Sequence, residues 1–136
     1  MTTTLRVAGI TLAVIAGIAF GSCGKGSATA PSPNLNCSNI PNPATTILIL
    51  NNSACPQSLT VARGTRLTII NNDTRVHEMA SDPHPEHPAC PELNQVGHLE
   101  SGQQRDSGNL NTARRCGFHD HINPENRGLL GTITIQ

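Results

Sequence analysis

The chain is poor in aromatic residues and in net charge. Its 136 residues contain no Trp, no Tyr and only two Phe. Proteins that hold single-stranded nucleic acid stack its bases on aromatic rings, which this chain lacks. Nine Lys and Arg residues balance nine Asp and Glu residues, so no excess of one sign attracts nucleic acid or an anionic membrane surface. The composition therefore argues against a nucleic-acid-binding protein.

Long apolar runs are scarce as well. The one at residues 7–20 follows Arg6 and ends in small residues. It is shorter than the roughly 20 apolar residues of a membrane-spanning helix, and it has the form of an export signal. We predict that residues 1–22 are a signal peptide, so that the mature protein is extracytoplasmic.

The end of this segment resembles a bacterial lipobox. Phe20, Gly21 and Ser22 precede Cys23, and the resemblance implies that Cys23 is lipidated and anchors the protein to the periplasmic or cell-surface face of a bacterial membrane. In the alternative, the signal is an ordinary cleaved one and Cys23 is incidental. Residues 23–36 are rich in Gly, Ser, Ala and Pro, which predicts a flexible linker. Residues 37–136 are then one folded domain.

Features typical of helical bundles are missing, and those of a small β-protein are present. Ten Pro and twelve Gly favour short segments joined by turns. Runs of β-branched residues predict four strands, at residues 45–50, 58–62, 66–71 and 131–136. The fold class predicted is an all-β sandwich or barrel of about six to eight strands. Residues 79–97, rich in Pro and His, are predicted to form a long ordered loop, and such loops are usually functional.

Cysteine is comparatively abundant. If Cys23 carries lipid, four cysteines remain, an even number in a compartment that permits disulfides. Of the three possible pairings, the one favoured joins Cys37 to Cys55 and Cys90 to Cys116. The competing use of Cys116 is as a metal-binding thiolate, which would leave Cys90 unpaired.

Histidine is the other abundant residue, and five of the six lie in two stretches. One stretch contains His77, His84 and His87, and the other contains His119 and His121. Imidazole suits copper and zinc, and a thiolate beside two imidazoles suits copper in particular. If His119 and His121 lie on a strand, they point to the same side and can bind one ion together. The alternative is a solvated, pH-sensitive surface.

From Ser58 onward the chain resembles the cupredoxins, the small copper proteins similar to plastocyanin and azurin. Residues 58–79, SLTVARGTRLTIINNDTRVHEM, resemble the strand, glycine turn, strand and first histidine ligand of that family, and the closing GTITIQ resembles its last strand. The resemblance implies a Greek-key β-sandwich that binds one copper ion as Cu(I) or Cu(II), with His77 as the first ligand. The remaining ligands are then expected from CGFHDHINPENRGLL.

The resemblance allows two registers for this last segment. In the first, Cys116 is a copper thiolate beside His77 and either His119 or His121, which implies an electron carrier serving membrane-associated redox partners. No Met follows His121 before the last strand to act as an axial ligand.

In the second register, Asp120 stands at the family's thiolate position and Cys116 pairs with Cys90. This register agrees with the even number of cysteines and is favoured. It predicts a site of His77, His119 and His121, joined by His84 or His87, or else a separate site at His84 and His87. Copper binding or handling, with transfer to other membrane-associated proteins, is the function it implies.

Two other function classes remain open. A metalloenzyme similar to copper-zinc superoxide dismutase would use His119, Asp120 and His121 with the cluster at residues 82–87. A metal-free binding module stabilised by disulfides would use none of them. The chain contains no nucleophile elbow, phosphate loop or paired catalytic carboxylates, so no catalytic residue is predicted. Zinc is the expected competitor for copper.

Overall fold

The computed structural model describes residues 35–136. The predicted signal peptide, Cys23 and residues 24–34 of the predicted linker lie outside these residues. Among the described residues, β-strands account for nearly all regular structure, together with two short 3₁₀ turns at Leu93–Val96 and Arg127–Leu129. The strands are β1 Thr46–Leu50, β2 Ser53–Cys55, β3 Ser58–Val61, β4 Thr68–Asn71, β5 His77–Ser81, β6 His98–Leu99, β7 Gln104–Asp106, β8 Arg114–Asp120 and β9 Gly131–Ile135.

The strands form two sheets, which confirms the predicted small β-sandwich. One sheet has the order β2-β1-β4-β7 and the other the order β3-β9-β8-β5-β6. The pairs β1–β4 and β3–β9 are parallel and the other pairs are antiparallel. The four predicted strands correspond to β1, β3, β4 and β9, each ending within two residues of its predicted bounds.

The core lies between the sheets and follows the two-residue alternation of strand side chains. On β8, Cys116 and Phe118 point into the core, and Ile133 and Ile135 do so on the neighbouring β9. The single aromatic ring of the domain, Phe118, is almost fully buried. We call the core-facing side of the five-stranded sheet its inner face and the opposite side its outer face.

In the described part of the chain, two disulfides connect irregular segments to strands. Cys37 is bonded to Cys55 on β2, and Cys90 is bonded to Cys116 on β8. The second bond corrects the alternative in which Cys116 is a copper ligand, because its sulfur is taken up by Cys90 and its side chain lies in the core.

The predicted loop at residues 79–97 is shorter than expected. Strand β5 continues to Ser81, and Leu93–Val96 form a 3₁₀ turn that packs in the core. Residues 82–92 make up the irregular part. Within residues 35–136, no helix has the length and apolar character needed to cross a membrane.

Candidate metal centre

Four histidines converge on the outer face of the five-stranded sheet. His84, His87, His119 and His121 each offer one ring nitrogen, and these four atoms all lie within 4.8 Å of one another. We call them the four-histidine cluster. Burial increases from exposed His84, through His87 and His121, to fully buried His119.

Strand β8 supplies two members of the cluster. Residues 117, 119 and 121 alternate with Cys116, Phe118 and Asp120, which point inward. His121 directly follows the strand, and its N–H donates to the carbonyl of Glu78 at 2.7 Å, which continues the β5–β8 ladder. The structure therefore places His119 and His121 on the same side of the sheet, as the two-residue spacing predicts.

The segment after β5 supplies the other two members and folds back over β8. The Asp82 N–H donates to the Gly117 carbonyl at 3.0 Å, and the His87 N–H donates to the Pro83 carbonyl at 2.8 Å. The His87 carbonyl accepts hydrogen bonds from the Ser81 hydroxyl at 2.7 Å and the Asn94 amide at 2.8 Å. His87 has a φ of 55°, a left-handed conformation that costs about 1–3 kcal/mol for residues other than glycine. These contacts hold the backbone of His87 in that conformation, and so fix the direction in which its side chain leaves the backbone.

The nitrogen separations suit a shared metal ion. Nε2 of His87 lies 3.2 Å from Nε2 of His119 and 3.1 Å from Nδ1 of His121. Two imidazole nitrogens that bind one ion at about 2.0–2.1 Å can be at most about 4.2 Å apart. Both separations satisfy this limit, and all four nitrogens lie within 4.8 Å of one another.

Asp82 orients the most buried histidine of the cluster. Its Oδ1 lies 2.7 Å from Nδ1 of His119, so Nδ1 donates to the carboxylate and the lone pair of Nε2 points to the cluster. A carboxylate that fixes the tautomer of a histidine in this way typically supports metal binding. Gly117 makes room for it, because a Cβ at residue 117 would lie 1.8 Å from Oδ2 of Asp82.

Substituting Gly117→Ala is therefore expected to weaken metal binding while leaving the fold intact. The half-exposed Asp82 side chain can swing away from the added methyl group, and His119 then loses its orienting partner. We expect a loss of about 10–100-fold in metal affinity, measured by competition titration. The matched control is Gly108→Ala, whose Cβ would crowd only the exposed Gln95 side chain. Equal affinities of the two variants would contradict this role of Asp82.

The electrostatics of the cluster favour a neutral imidazole at His87. Burial lowers the pKa of His87, and the neighbouring His119, His121 and His84 lower it further because their positive charges would repel another. A neutral imidazole is the form that binds a metal ion, so less proton competition opposes binding at His87 than at an isolated histidine.

His77 does not join the cluster, which corrects its prediction as the first ligand. It lies on the inner face of β5, on the side of the sheet opposite His119 and His121. Its Nδ1 lies 2.9 Å from Oδ2 of Asp120, and its Nε2 lies 3.3 Å from Oδ2 of Asp73. Both ring nitrogens are therefore occupied by carboxylates. Asp120, like His77, is buried on the inner face of the sheet.

The three side chains form a buried charged triad that makes folding stability depend on pH. Burial alone would lower the pKa of His77, but Asp120 and Asp73 outweigh it and raise the pKa above 6.5. Burial alone would raise the pKa of Asp73 and Asp120, but for each the hydrogen bonds from backbone N–H groups and from His77 outweigh it and lower the pKa below 3.8.

The stabilisation by the triad is expected to be largest between about pH 4 and 6.5. The contribution of His77 is complete below its unfolded value of 6.5 and is lost as the pH rises through the higher folded-state pKa. The contribution of the two aspartates is present above 3.8 and is lost as the pH falls through their lower folded-state pKa values. Urea unfolding of the metal-free protein and of a His77→Gln variant, repeated across pH, measures the difference in unfolding free energy between the two proteins. A difference that does not change with pH would contradict the triad.

The sequence allowed two places for His84 and His87, either beside His119 and His121 or at a separate site. His84 and His87 do not form a separate second site, because the folding of residues 82–90 over β8 brings them to His119 and His121. The sequence prediction allowed His84 or His87 to join His119 and His121 but did not predict that both would, and the closely spaced prolines around them were the available signal of a stiff segment.

Comparison with solved structures identifies the fold. The chain is similar to a purple cupredoxin from Nitrosopumilus maritimus, with 15% identity over 68% of this chain and 99% of that one and a TM-score of 0.51. It is also similar to a mutant plastocyanin of fern, with 16% identity over 67% and 99% of the two chains and a TM-score of 0.54. An amicyanin from Paracoccus versutus aligns with 13% identity over 74% and 88% and a TM-score of 0.54. No family model and no curated protein matches the sequence.

Proposed function

Because the chain has the cupredoxin fold, we propose that it binds one copper ion through the four-histidine cluster and serves in extracytoplasmic copper binding and handling. The observation that carries the proposal is the convergence of four imidazole nitrogens within 4.8 Å on one face of the sheet. Four imidazoles form a donor set that suits copper and zinc. Since Cu(II) stands above Zn(II) in the general order of affinities, copper is the ion we expect to prevail when both are present.

The disulfide between Cys90 and Cys116 favours copper handling over electron transfer. The carrier function predicted in the first register needs a thiolate ligand, and Cys116 is bonded to Cys90 in the core. The exposed edge of the cluster at His84 supports exchange of the ion with partners. A lipid anchor at Cys23 would keep the domain near membrane-associated proteins that give or receive copper, on the outer side of a bacterial membrane.

Competition titration of the protein with copper against a chromophoric chelator tests the proposal. We expect one equivalent of copper per chain, and a higher affinity for Cu(II) than for zinc. A His119→Gln variant should lose this binding, since it lacks the most buried imidazole. If the protein released all copper to a weak chelator, a metal-free binding module would be the better account. If the His119→Gln variant bound copper as well as the parent, the copper site would lie outside the four-histidine cluster.

A further inference from the structure

A sixth histidine lies in line with the cluster on the same face of the sheet. Strands β6, β5 and β8 are adjacent, and Glu78 on β5 lies directly opposite His98 on β6. On its other side, Glu78 accepts the N–H of His121 at 2.7 Å, so these two residues are also opposite one another. Side chains of opposite residues point to the same face, with Cβ atoms about 4.5–5.5 Å apart. His98, Glu78 and His121 therefore form one row across three strands.

The row leads from solvent to the cluster. The His98 side chain is 66% exposed, the Glu78 side chain is 25% exposed, and Nε2 of His98 lies 3.2 Å from Oε2 of Glu78. The next side chain in the row is His121, whose Nδ1 lies 3.1 Å from His87. Leu99, the neighbour of His98 on β6, points into the core, so only the outer face of β6 carries a metal-binding side chain.

The Glu78 carboxylate also acts on the cluster itself. Its negative charge opposes the lowering of the pKa of His87, which places it within electrostatic reach of the ligands. The carboxylate of Asp82 is already taken up by His119. Glu78 thus provides a negative charge beside the cluster without being a member of it.

We infer that His98 and Glu78 form an outer capture site through which a copper ion enters and leaves the four-histidine cluster. The inference rests on the proposed function of the cluster. An imidazole and a carboxylate, completed by water, bind copper weakly enough to release it again. The ion then exchanges the His98 imidazole, the Glu78 carboxylate and water for the imidazole of His121 and, in turn, for that of His87. The oxidation state of copper and the protonation of Glu78 are the same before and after the ion has passed.

A capture site of this kind changes rates and leaves the equilibrium alone. It lowers the barrier in both directions, so loading and removal of copper are accelerated by the same factor and the dissociation constant is unaffected. Negative charge beside a binding site raises the association rate of a cation by about tenfold or more. For the loss of His98 alone, we expect a somewhat smaller effect, a decrease of about fivefold in the rates of copper loading and removal.

Stopped-flow measurement of copper loading, and of its removal by excess chelator, tests the inference in a His98→Gln variant. We expect both rates to fall about fivefold while the dissociation constant stays at the parent value. Glu78→Gln should slow loading at least as much, and because it also removes a negative charge within reach of the bound ion, it should raise the dissociation constant. Asp106→Asn is the matched control, because it removes the same charge from an exposed position on β7 in the other sheet, and its rates should equal those of the parent.

The possible failures are distinguishable. If the parent protein binds no copper at equilibrium, the proposed function fails. If it binds copper but His98→Gln loads and releases it at the parent rates, the capture site is wrong and the function of the cluster stands. If His98→Gln instead weakens equilibrium binding, His98 is a ligand of the bound ion, which also overturns the inference.

Discussion

Replacing His87 with Asn is expected to abolish tight copper binding. His87 is the member of the cluster that contacts two others, with Nε2 at 3.2 Å from His119 and 3.1 Å from His121. Its loss removes a direct ligand, and the affinity should fall by more than the roughly 10–100-fold expected for a residue that only supports a ligand. Asn suits this position because it tolerates the left-handed conformation that residue 87 adopts.

Two comparisons make this result specific. His98→Gln removes one histidine from the same face but from outside the cluster, and its copper affinity should equal that of the parent. Urea unfolding without metal should show that His87→Asn remains folded. Competition titration measures the affinities, and parent-like copper binding by a folded His87→Asn protein would show that the cluster is not the site.

Removal of the Cys90–Cys116 disulfide is expected to reduce both folding stability and copper affinity. The bond joins the end of the segment that carries His84 and His87 to the strand that carries His119 and His121. Without it, the two halves of the cluster are no longer held together covalently, so binding must also order residues 82–90. Changing both cysteines to Ala should cost about 2–4 kcal/mol of unfolding free energy and weaken copper binding about tenfold or more.

The other disulfide provides a matched control. Cys37 and Cys55 are 18 residues apart, compared with 26 for Cys90 and Cys116, so the chain-entropy contributions of the two bonds are similar. A double Ala variant of Cys37 and Cys55 should lose comparable stability and keep the parent copper affinity. Urea unfolding and copper titration measure both quantities. If the two double variants lost affinity equally, a general loosening of the fold would explain the result, and the disulfide would have no specific role at the site.

The sequence predicts the parts of this fold that depend on local pattern. The runs at residues 45–50, 58–62, 66–71 and 131–136 are rich in β-branched residues, and all four form strands. Strand β8 has no such signal, because Arg114, Arg115, Gly117 and Asp120 interrupt its apolar pattern. It is formed through its partners β5 and β9, which lie far from it in sequence.

In the candidate site, too, local spacing predicts some features, and long-range pairing determines the others. The spacing of His119 and His121 is enough to predict that they share a face. The face that His77 occupies depends on the register that places Met79 opposite Asp120, a long-range pairing that no local pattern determines. His84 and His87 reach the cluster only because Asp82 pairs with Gly117 and Cys90 is bonded to Cys116. The family resemblance predicted His77 as a ligand because it carries over a ligand position from the cupredoxins. The side chains that complete this site, His84 and His87, come from a different segment.

Electron paramagnetic resonance and visible absorption of the full-length protein with one equivalent of Cu(II) test the central claim most directly. Copper held by imidazoles alone should give the spectrum of an ordinary Cu(II) centre with nitrogen couplings and a weak visible band. Thiol titration of the denatured, unreduced protein should detect none of Cys37, Cys55, Cys90 and Cys116. An intense visible band from a copper–thiolate bond, together with free thiols at Cys90 and Cys116, would contradict the four-histidine site. It would instead support an electron carrier with Cys116 as a copper ligand.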